Sequence, residues 1–388
     1  MRIFITIGHP AHVHYFRNFI KIMEGRGHKF FVAARDKEIT HSLLDHYQIK
    51  YASKGNVSKS LLGKIFYLFK TNSLLFKLAK KFKPDLFLSF GSPYAAQISK
   101  ILRRPHIAFD DTEHAYLEHL LYVPFSKCIL TPNSFKKNFG KKHIRFEGSM
   151  DIAYLHPNYY ESNIKYLEEL KLVGKTYFFL RFIKWGATHD IGQSGFSEQG
   201  KAKIIKLLAK YGEVIISSED DLPSEFRKYL YKGDPFKIHT IIQYSSLFIG
   251  ESGSMATEAA VLGTPSIMVN TSAKYFGVFE HISKFGNLFY YDNEIPAIEK
   301  INDLLSNTEF KKNSIRNAQE YIQQSINLTD YMVWFIENYP NSIEIMKENP
   351  EYQNNFKQHS NKITNPTIGN GLFLLFANIM QLMENSIY

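Results

Sequence analysis

Residues 247–269, LFIGESGSMATEAAVLGTPSIMV, decide the fold of this chain. The pattern predicts a short apolar strand, then a tight turn of small residues over 250–254, then a helix over about 255–262. Gly263 and Pro265 end that helix before a second apolar strand begins. A strand, a small-residue turn and a helix in this order are typical of one unit of a parallel α/β sheet.

The same turn has the residues of a phosphate or pyrophosphate site. Gly253 lets the backbone approach a ligand closely, and Ser252 and Ser254 add hydroxyl donors. The first turn of the helix presents unpaired N–H groups and the positive end of the helix dipole. We expect Glu258, one turn further on the same side, to accept hydrogen bonds from ribose hydroxyls. Gly250, at the end of the strand, belongs to the same predicted site.

Strand and helix patterns alternate through the first 150 residues, which predicts a doubly wound parallel sheet. The predicted strands are 2–7, 30–34, 85–90, 106–109 and 127–130, and the predicted helices are 12–25, 38–46, 59–81 and 93–102. The pattern breaks between residues 148 and 158, which we interpret as an interdomain linker.

A second alternating series leads into the decisive stretch, with strands at 177–183 and 214–216 and a helix at 198–211. We therefore expect two Rossmann-like domains with parallel sheets that face an interdomain cleft. The predicted boundaries are 1–150 for the N-terminal domain, 151–345 for the C-terminal domain and 346–388 for a tail. Residues 294–348 are predicted to be helical and to pack back across both domains. The tail is interpreted either as a docked terminal helix or as a partner or membrane contact.

Composition excludes several classes of protein. With 388 residues, 44% hydrophobic and 22% charged, the chain has material for two globular cores and is not disordered as a whole. The single cysteine, Cys128, excludes an internal disulfide framework and a cysteine-built zinc site. No apolar run reaches the roughly 20 residues of a membrane-spanning helix, and the chain opens on a strand. We expect a cytoplasmic protein.

The net charge of +10 favours an anionic partner, such as a nucleotide, an anionic lipid surface or a nucleic acid. Nucleic acid is disfavoured because the sequence has no recognised basic and aromatic platform for single strands. Seven lysines alternate with leucine and phenylalanine in one region, where they form either the solvated face of an amphipathic helix or a face that lies on an anionic membrane. They are Lys59, Lys64, Lys70, Lys77, Lys80, Lys81 and Lys83.

Three histidines crowd the turn that follows the first predicted strand. His9 lies in the loop, and His12 and His14 occupy the first helical turn. No acidic or cysteine ligand accompanies them, so a metal site is not predicted. Local capping or packing is one interpretation. The other is a catalytic base or a substrate contact, since histidine titrates near neutral pH and the loop faces the cleft.

Further polar clusters follow other predicted strands, and their joint placement indicates an enzyme site. Residues 110–114, Asp-Asp-Thr-Glu-His, concentrate three carboxylates and a histidine, more than helix capping requires. The remaining candidates come from the second half of the chain, and they are Arg181, His189, Ser218, Glu219 and His239.

With these residues in view, the chain resembles the GT-B superfamily, which includes nucleotide-sugar glycosyltransferases and UDP-N-acetylglucosamine 2-epimerases. The epimerases carry Asp-Ser-Gly-Gly, then Glu-Glu-Ala, then Leu-Gly-Pro, and residues 251–254, 258–259 and 262–265 are similar. The resemblance implies that Ser252, Gly253 and Ser254 bind the diphosphate and that Glu258 binds the ribose.

Two further epimerase motifs have partial counterparts. Thr112-Glu113-His114-Ala115 is similar to His-x-Glu-Ala-Gly and matches its glutamate. Thr188-His189 is similar to the start of Thr-x-His-Arg, with Asp190 where the arginine stands. Taken together, the polar loops after the predicted strands resemble those of an uncharacterised prokaryotic family of glycosyltransferase-like proteins found among surface-polysaccharide genes. This resemblance extends over residues 1–345.

The leading hypothesis is a GT-B glycosyltransferase that needs no metal or other cofactor. Its donor would be a nucleotide-diphosphate sugar, expected to be UDP-linked, and its acceptor a glycan or lipid-linked glycan. His12, His9 or Glu113 would deprotonate the acceptor. The first alternative is a 2-epimerase in which Glu113 and His189 transfer protons around C2. The second is a non-catalytic module that binds an anionic ligand, and the oligomeric state is left open.

Overall fold

The computed structural model describes residues 1–55, 61–185, 193–307 and 309–358. In these ranges the chain forms two sheets, and every pairing between neighbouring strands is parallel. Helices alternate with the strands in both halves. The predicted class, α/β with two Rossmann-like sheets, is confirmed.

The first sheet has seven strands in the order β3-β2-β1-β4-β5-β6-β7. The strands are β1 (Arg2–Ile7), β2 (Lys29–Ala34), β3 (Tyr51–Ser53), β4 (Leu86–Phe90), β5 (His106–Phe109), β6 (Cys128–Pro132) and β7 (His143–Phe146). The helices of this half are α1 (Pro10–Gly25), α2 (Thr40–His46), α3 (Leu61–Phe82), α4 (Pro93–Ile101) and α5 (Tyr116–Tyr122).

The second sheet has five strands in the order β12-β11-β10-β8-β9. The strands are β8 (Tyr177–Phe182), β9 (Glu213–Ser218), β10 (Leu247–Gly250), β11 (Ser266–Val269) and β12 (Leu288–Tyr291). The helices from the end of the first sheet onward are α6 (Ile152–Leu155), α7 (Ile164–Glu169), α8 (Glu198–Leu208), α9 (Ile238–Tyr244), α10 (Gly253–Val261), α11 (Gly277–Ser283), α12 (Glu294–Ser306), α13 (Phe310–Gln324), α14 (Leu328–Glu337) and α15 (Asn341–Glu348).

Both sheets are buried on both faces, because alternate side chains of one strand enter different apolar clusters. Along β1, Ile3 and Ile5 pack with α1, whereas Phe4 packs with α3 and α4. In β8 Phe179 joins the cluster of the first sheet, and Leu180 joins the cluster around α8 and α12. Parallel strands covered on two sides read as continuous apolar runs, which is why the sequence predicts them well.

The chain crosses between the two halves twice. The first crossing, predicted as a linker, contains the buried helix α6. At the second, α14 packs on α1 and α6, and the Thr329 hydroxyl donates to the Ala153 carbonyl at 2.6 Å. Residues 350–356 follow as a 3₁₀ helix whose Tyr352 stacks on Trp334, with ring centroids 4.7 Å apart. The apolar end of the predicted tail lies outside the described residues.

The structure contains three strands that are not among the predicted elements, namely β3 and β7 of the first sheet and β12, an edge strand of the second sheet. Of these, β3 and β7 are both edge strands of the first sheet, and they have three and four residues. Among the described residues, no helix is both long enough and apolar enough to cross a bilayer.

Candidate functional site

Both sheets change the direction of their strand order at a point where predicted site residues gather. In the first sheet the change falls between β1 and β4, and in the second between β8 and β10. Ligands of open α/β sheets bind outside the carboxyl ends of the strands at such points. His9 and His12 follow β1, whereas Arg181 in β8 stands opposite Gly250 of β10. The topology therefore brings the histidine loop and the glycine-serine turn to ligand-binding edges.

The glycine-serine turn after β10 opens directly into α10. Ser252 is the N-cap residue, and its Oγ accepts from the Met255 N–H at 3.5 Å. The helix begins at Gly253, two residues earlier than the sequence pattern predicts. A Cβ at Gly253 would lie 2.7 Å from the Phe279 ring, and one at Gly250 would lie 2.7 Å from the Arg181 carbonyl oxygen. Close packing behind the turn thus requires both glycines, while the first N–H groups of the helix point to the cleft end.

Glu251 holds the loop that follows β8. Its fully buried carboxylate accepts from the Ile183 and Phe196 N–H groups, each at 2.9 Å. Burial raises the pKa of this carboxyl group, and the two N–H donors and nearby Lys201 act in the opposite direction. Glu251 is therefore a structural anchor. The predicted His189 belongs to this loop but lies outside the described residues.

Arg181, Ser218 and Glu219 lie together at the carboxyl ends of β8 and β9. The Arg181 guanidinium donates to the Ser217 hydroxyl at 2.8 Å and pairs with the Glu219 carboxylate. The Ser218 hydroxyl donates to the Asp220 carbonyl at 2.7 Å. The structure thus groups these three predicted residues beside the helix terminus, and their contact with a donor stays a prediction.

Glu258 lies at the junction of the two halves and is nearly buried. The Tyr154 hydroxyl donates to its Oε1 at 2.5 Å, and His239 Nε2 lies 3.2 Å from the same oxygen. From the first half, the His14 ring approaches the His239 ring with centroids 5.2 Å apart. Glu258 and His239 thus lie in direct contact, and Tyr154, which the sequence analysis does not single out, binds the same carboxylate. That they line a ligand cleft stays a prediction.

The two candidate histidines after β1 are engaged with backbone groups. His9 caps α1, since its Nδ1 accepts from the Ala11 N–H at 3.2 Å. His12 Nδ1 accepts from the Gly8 N–H at 3.3 Å. Burial lowers the pKa of His12 well below its usual value, with further lowering by the charges of His9 and Lys54. Because a neutral ring that accepts at Nδ1 carries its proton on Nε2, this geometry makes His12 a hydrogen-bond donor rather than a base.

Two aspartates, Asp111 and Asp151, have raised pKa values, and the charge of Asp151 acts on Asp111. Burial, followed by the charges of Asp110 and Asp151, raises the pKa of Asp111 well above its usual range. Burial and the charge of Glu258 raise the pKa of Asp151 to about 7. Asp151 is missed by the sequence analysis because it follows β7, the strand that the apolar pattern does not show. The small residues at 148 and 149, placed after a strand and before an acid, are the signal that could have found it.

Glu113 joins the two halves. Its Oε1 accepts from the Gly277 N–H, at the start of α11, at 2.8 Å and from the Lys136 N–H at 3.3 Å. Its Oε2 is buried and has no hydrogen-bond partner within the described residues. Burial raises the pKa of the carboxyl group. The structure thus places Glu113 at the cleft, and its part in proton transfer stays a prediction.

Solved structures of known proteins share this fold. S. aureus MnaA in a co-structure with UDP aligns at a TM-score of 0.65 and 14% identity, covering 88% of this chain and 98% of that one. The UDP-GlcNAc 2-epimerase of Methanocaldococcus jannaschii in complex with UDP-GlcNAc and UDP aligns at 0.60 and 14% identity, covering 82% and 99%. The spinosyn forosaminyltransferase SpnP aligns at 0.59 and 13% identity, covering 89% and 99%. The fold is that of the GT-B superfamily.

Sequence comparison gives a relative and a family. The uncharacterized protein MJ0665 of Methanocaldococcus jannaschii is 23% identical over 281 residues, which cover 68% of this chain and 80% of that protein. The family model described as protein of unknown function (DUF354) matches residues 1–333, which include both sheets and the described part of each predicted site cluster. The chain therefore belongs to the DUF354 family.

Proposed function

We propose that this chain is a glycosyltransferase-like enzyme whose donor is a UDP-linked sugar and whose products are surface polysaccharides or glycoconjugates. The observation that carries the proposal is the N-terminus of α10, which opens at the switch point of the second sheet beside the carboxylates of the cleft. Two structures of the same fold that hold UDP support a nucleotide donor. A glycan or lipid-linked glycan acceptor would bind on the first sheet.

The α10 terminus can stabilise the leaving group of such a reaction. Negative charge develops on the diphosphate as the glycosidic bond to the donor breaks, and the helix N–H groups and dipole offset it. Ser252 and Ser254 would add hydroxyl donors at the same place. This arrangement supplies the stabilisation from the chain's own groups, so we propose transfer without a bound metal.

Asp111 is the group that we assign as the base for the acceptor hydroxyl. It is partly exposed at the cleft, whereas Asp151 and Glu113 are nearly buried. A raised pKa brings a carboxylate closer to the range where it accepts a proton efficiently at neutral pH. His12, whose neutral ring carries its proton on Nε2, would instead donate a hydrogen bond to the acceptor.

Calorimetric titration with UDP tests the donor site. Ser252→Ala and Glu258→Ala are expected to raise the dissociation constant for UDP at least fivefold, since each removes a polar group from the predicted site. Ser306→Ala is the matched control, because Ser306 is exposed at the end of α12 and its hydroxyl bonds only within that helix. Unchanged UDP binding in both site variants would contradict the assignment.

Glu113 favours a second candidate function, 2-epimerisation of a UDP-sugar. Its buried Oε2 has no partner within the described residues, and the raised pKa suits a group that exchanges protons. A 2-epimerase incorporates solvent deuterium at C2 of the sugar without any acceptor, whereas a transferase does not. Mass spectrometry of UDP-N-acetylglucosamine incubated with the chain in heavy water separates the two functions.

We further propose that the first half contacts an anionic membrane at the cytoplasmic face, where a lipid-linked acceptor would be found. Helix α5 exposes Leu117 at 64% and Leu120 at 72% of their surfaces. Hydrogen bonds from Asn72 to Gln97, and from Gln97 to the carbonyl of residue 121, hold α3, α4 and α5 side by side. Phe69 of α3 is also exposed, at 69% of its surface.

Basic residues surround this apolar face. Lys137 Nζ lies 3.5 Å from the centre of the Tyr116 ring, and Lys142 Nζ donates to the carbonyls of residues 123 and 124 at 3.0 and 2.9 Å, whereas Glu118 is an exposed carboxylate on α5 itself. Apolar side chains that enter the headgroup region, with lysines that meet anionic lipids, are the two elements of peripheral membrane binding. Lysines therefore lie near α5 as well as along α3.

A further inference from the structure

Lys54, directly after β3, is a buried cation without a counterion in the described part of the chain. Only 8% of its surface is exposed, and its side chain makes no hydrogen bond or ion pair to a described residue. Its backbone N–H donates to the Ala34 carbonyl at 2.7 Å, which fixes it at the carboxyl edge of the first sheet. Its Nζ lies 5.7 Å from the centre of the Tyr94 ring. Lysine is almost never buried unless it is paired.

A second cation, Arg35, follows β2 at the same edge. Its backbone N–H donates to the Ile7 carbonyl at 2.9 Å, and its Nε is buried without a hydrogen-bond partner within the described residues. Burial, followed by the charge of Arg35, lowers the pKa of Lys54 to about 7. The nearest carboxylate in sequence, Asp36, pairs with His41 at 3.6 Å. Two like charges therefore lie close together at this edge of the sheet, and the buried Arg35 Nε has no hydrogen-bond partner within the described residues.

A second lysine of the chain, Lys311, shows that a lysine with a similarly lowered pKa can have hydrogen-bond partners in this protein. Lys311 of α13 is partly buried, and burial lowers its pKa to about 7 as well. Its Nζ, however, donates to the Gln243 carbonyl at 2.8 Å and to the Thr264 hydroxyl at 2.7 Å, so the protein satisfies it. Lys311 is a structural lysine, whereas the corresponding partners of Lys54 are missing.

We propose that Lys54 and Arg35 form an oxyanion subsite for the acceptor and that the acceptor carries a phosphate ester or a sugar carboxylate. The subsite rests on the proposed function, because it assigns a chemical class to the acceptor of that reaction. Its two strands, β3 and β2, adjoin β1, whose loop holds His9 and His12. Two strand spacings separate the ends of β3 and β1, so the anionic group would bind about 10 Å from the end of β1.

The subsite can be tested by competitive acetylation of the full chain, with the reactivity of each lysine followed by mass spectrometry. A bound oxyanion stabilises the ammonium form of Lys54 and raises its pKa. At pH 7.5, a rise of one unit from about 7 lowers the neutral, reactive fraction about threefold. We expect inorganic phosphate or glucuronate, against chloride at equal ionic strength, to give this saturable protection at Lys54 and none at Lys311.

The choice of anion identifies the source of the charge. Protection by phosphate alone supports a phosphate ester, and protection by glucuronate alone supports a sugar carboxylate. In either arm, Arg35→Met should raise the anion concentration that gives half of the protection at least tenfold. Equal protection of Lys54 and Lys311, or of neither, overturns the subsite. Titration with UDP is independent of this result. Loss of UDP binding with intact protection of Lys54 contradicts the donor assignment, whereas UDP binding without protection contradicts only the subsite.

Discussion

Replacing Asp151 by asparagine should make the protein more stable at alkaline pH. The carboxyl group of Asp151 has its pKa raised from 3.8 to about 7 because it is buried beside Glu258. The folded state therefore holds this proton more tightly than the unfolded state. The buried carboxyl group therefore leaves the free energy of unfolding unchanged below about pH 4 and lowers it progressively as the pH rises from about 4 to 7. Above about pH 7 the free energy of unfolding is lowered by the full amount that corresponds to the pKa shift. A shift of this size corresponds to about 4 kcal/mol, taken as an upper bound.

The Tyr154 hydroxyl oxygen lies 3.2 Å from Oδ1 of Asp151 and donates its hydrogen bond to Glu258. Asparagine removes the charge of Asp151, and its amide N–H can donate to this hydroxyl oxygen. Urea denaturation at pH 4 to 8 measures the effect. Asp151→Asn should be up to about 4 kcal/mol more stable than the wild type at pH 8, with the difference shrinking toward pH 4. Glu168→Gln, on the exposed side of α7, is the control and should show no such trend.

A difference that stays constant from pH 5 to pH 8, or that grows toward acid, would refute the reasoning. Glu258 provides an internal check, since its charge is the second cause of the raised pKa. In a Glu258→Gln background, the pH-dependent gain from Asp151→Asn should be smaller. Equal gains in both backgrounds would show that burial alone sets the pKa.

Two further predictions concern the contact between the halves and the membrane face. A Cβ at Gly277 would lie 1.8 Å from the Ser134 carbonyl oxygen, so Gly277→Ala should lower the free energy of unfolding by about 1–3 kcal/mol. Gly25→Ala, where a Cβ meets nothing within 4 Å, should leave urea denaturation unchanged, and equal midpoints for the two variants would contradict the close contact. Leu120→Glu should reduce co-sedimentation with phosphatidylglycerol vesicles at least fivefold, because it places a carboxylate on the apolar face of α5. Ile295→Glu, at a site 69% exposed on α12, should bind like the wild type, and equal losses in both variants would point to charge alone.

The strength of the local pattern decides how much of the fold and the site the sequence predicts. Strands such as β1 and β8 are buried on both faces, so their apolar runs are unmistakable, and the turn between β10 and α10 is marked by its small residues. The edge strands β3 and β7 are short, and β7 interleaves His143 and Arg145 with apolar residues. Their stability comes from pairing with a neighbour, which a single sequence does not reveal.

The sequence analysis misses Lys54 and Asp151 because each comes after one of these two strands. Lys54 comes directly after β3, and Asp151 follows β7, so neither can be placed at the carboxyl edge until the strand before it is known. A single sequence also does not reveal side-chain contacts between the two halves, such as the hydrogen bond from Tyr154 to Glu258, two residues that are 104 positions apart. The predicted residues, by contrast, follow strands with strong apolar patterns.

The two crossings of the chain between its halves lie side by side. The Ile326 N–H donates to the Glu147 carbonyl at 3.2 Å, and a Cβ at Gly148 would meet Ser325 at 2.9 Å. Two adjacent crossings of the chain would confine a relative rotation of the two halves to one axis, which passes close to both crossings. Asp151, three residues after Gly148, would stay close to such an axis if the halves separated, whereas the hydrogen bond between Glu113 and Gly277 joins the two halves directly. Substrate exchange that separates the halves would therefore break the hydrogen bond between Glu113 and Gly277, while the protonated carboxyl group of Asp151 keeps its surroundings.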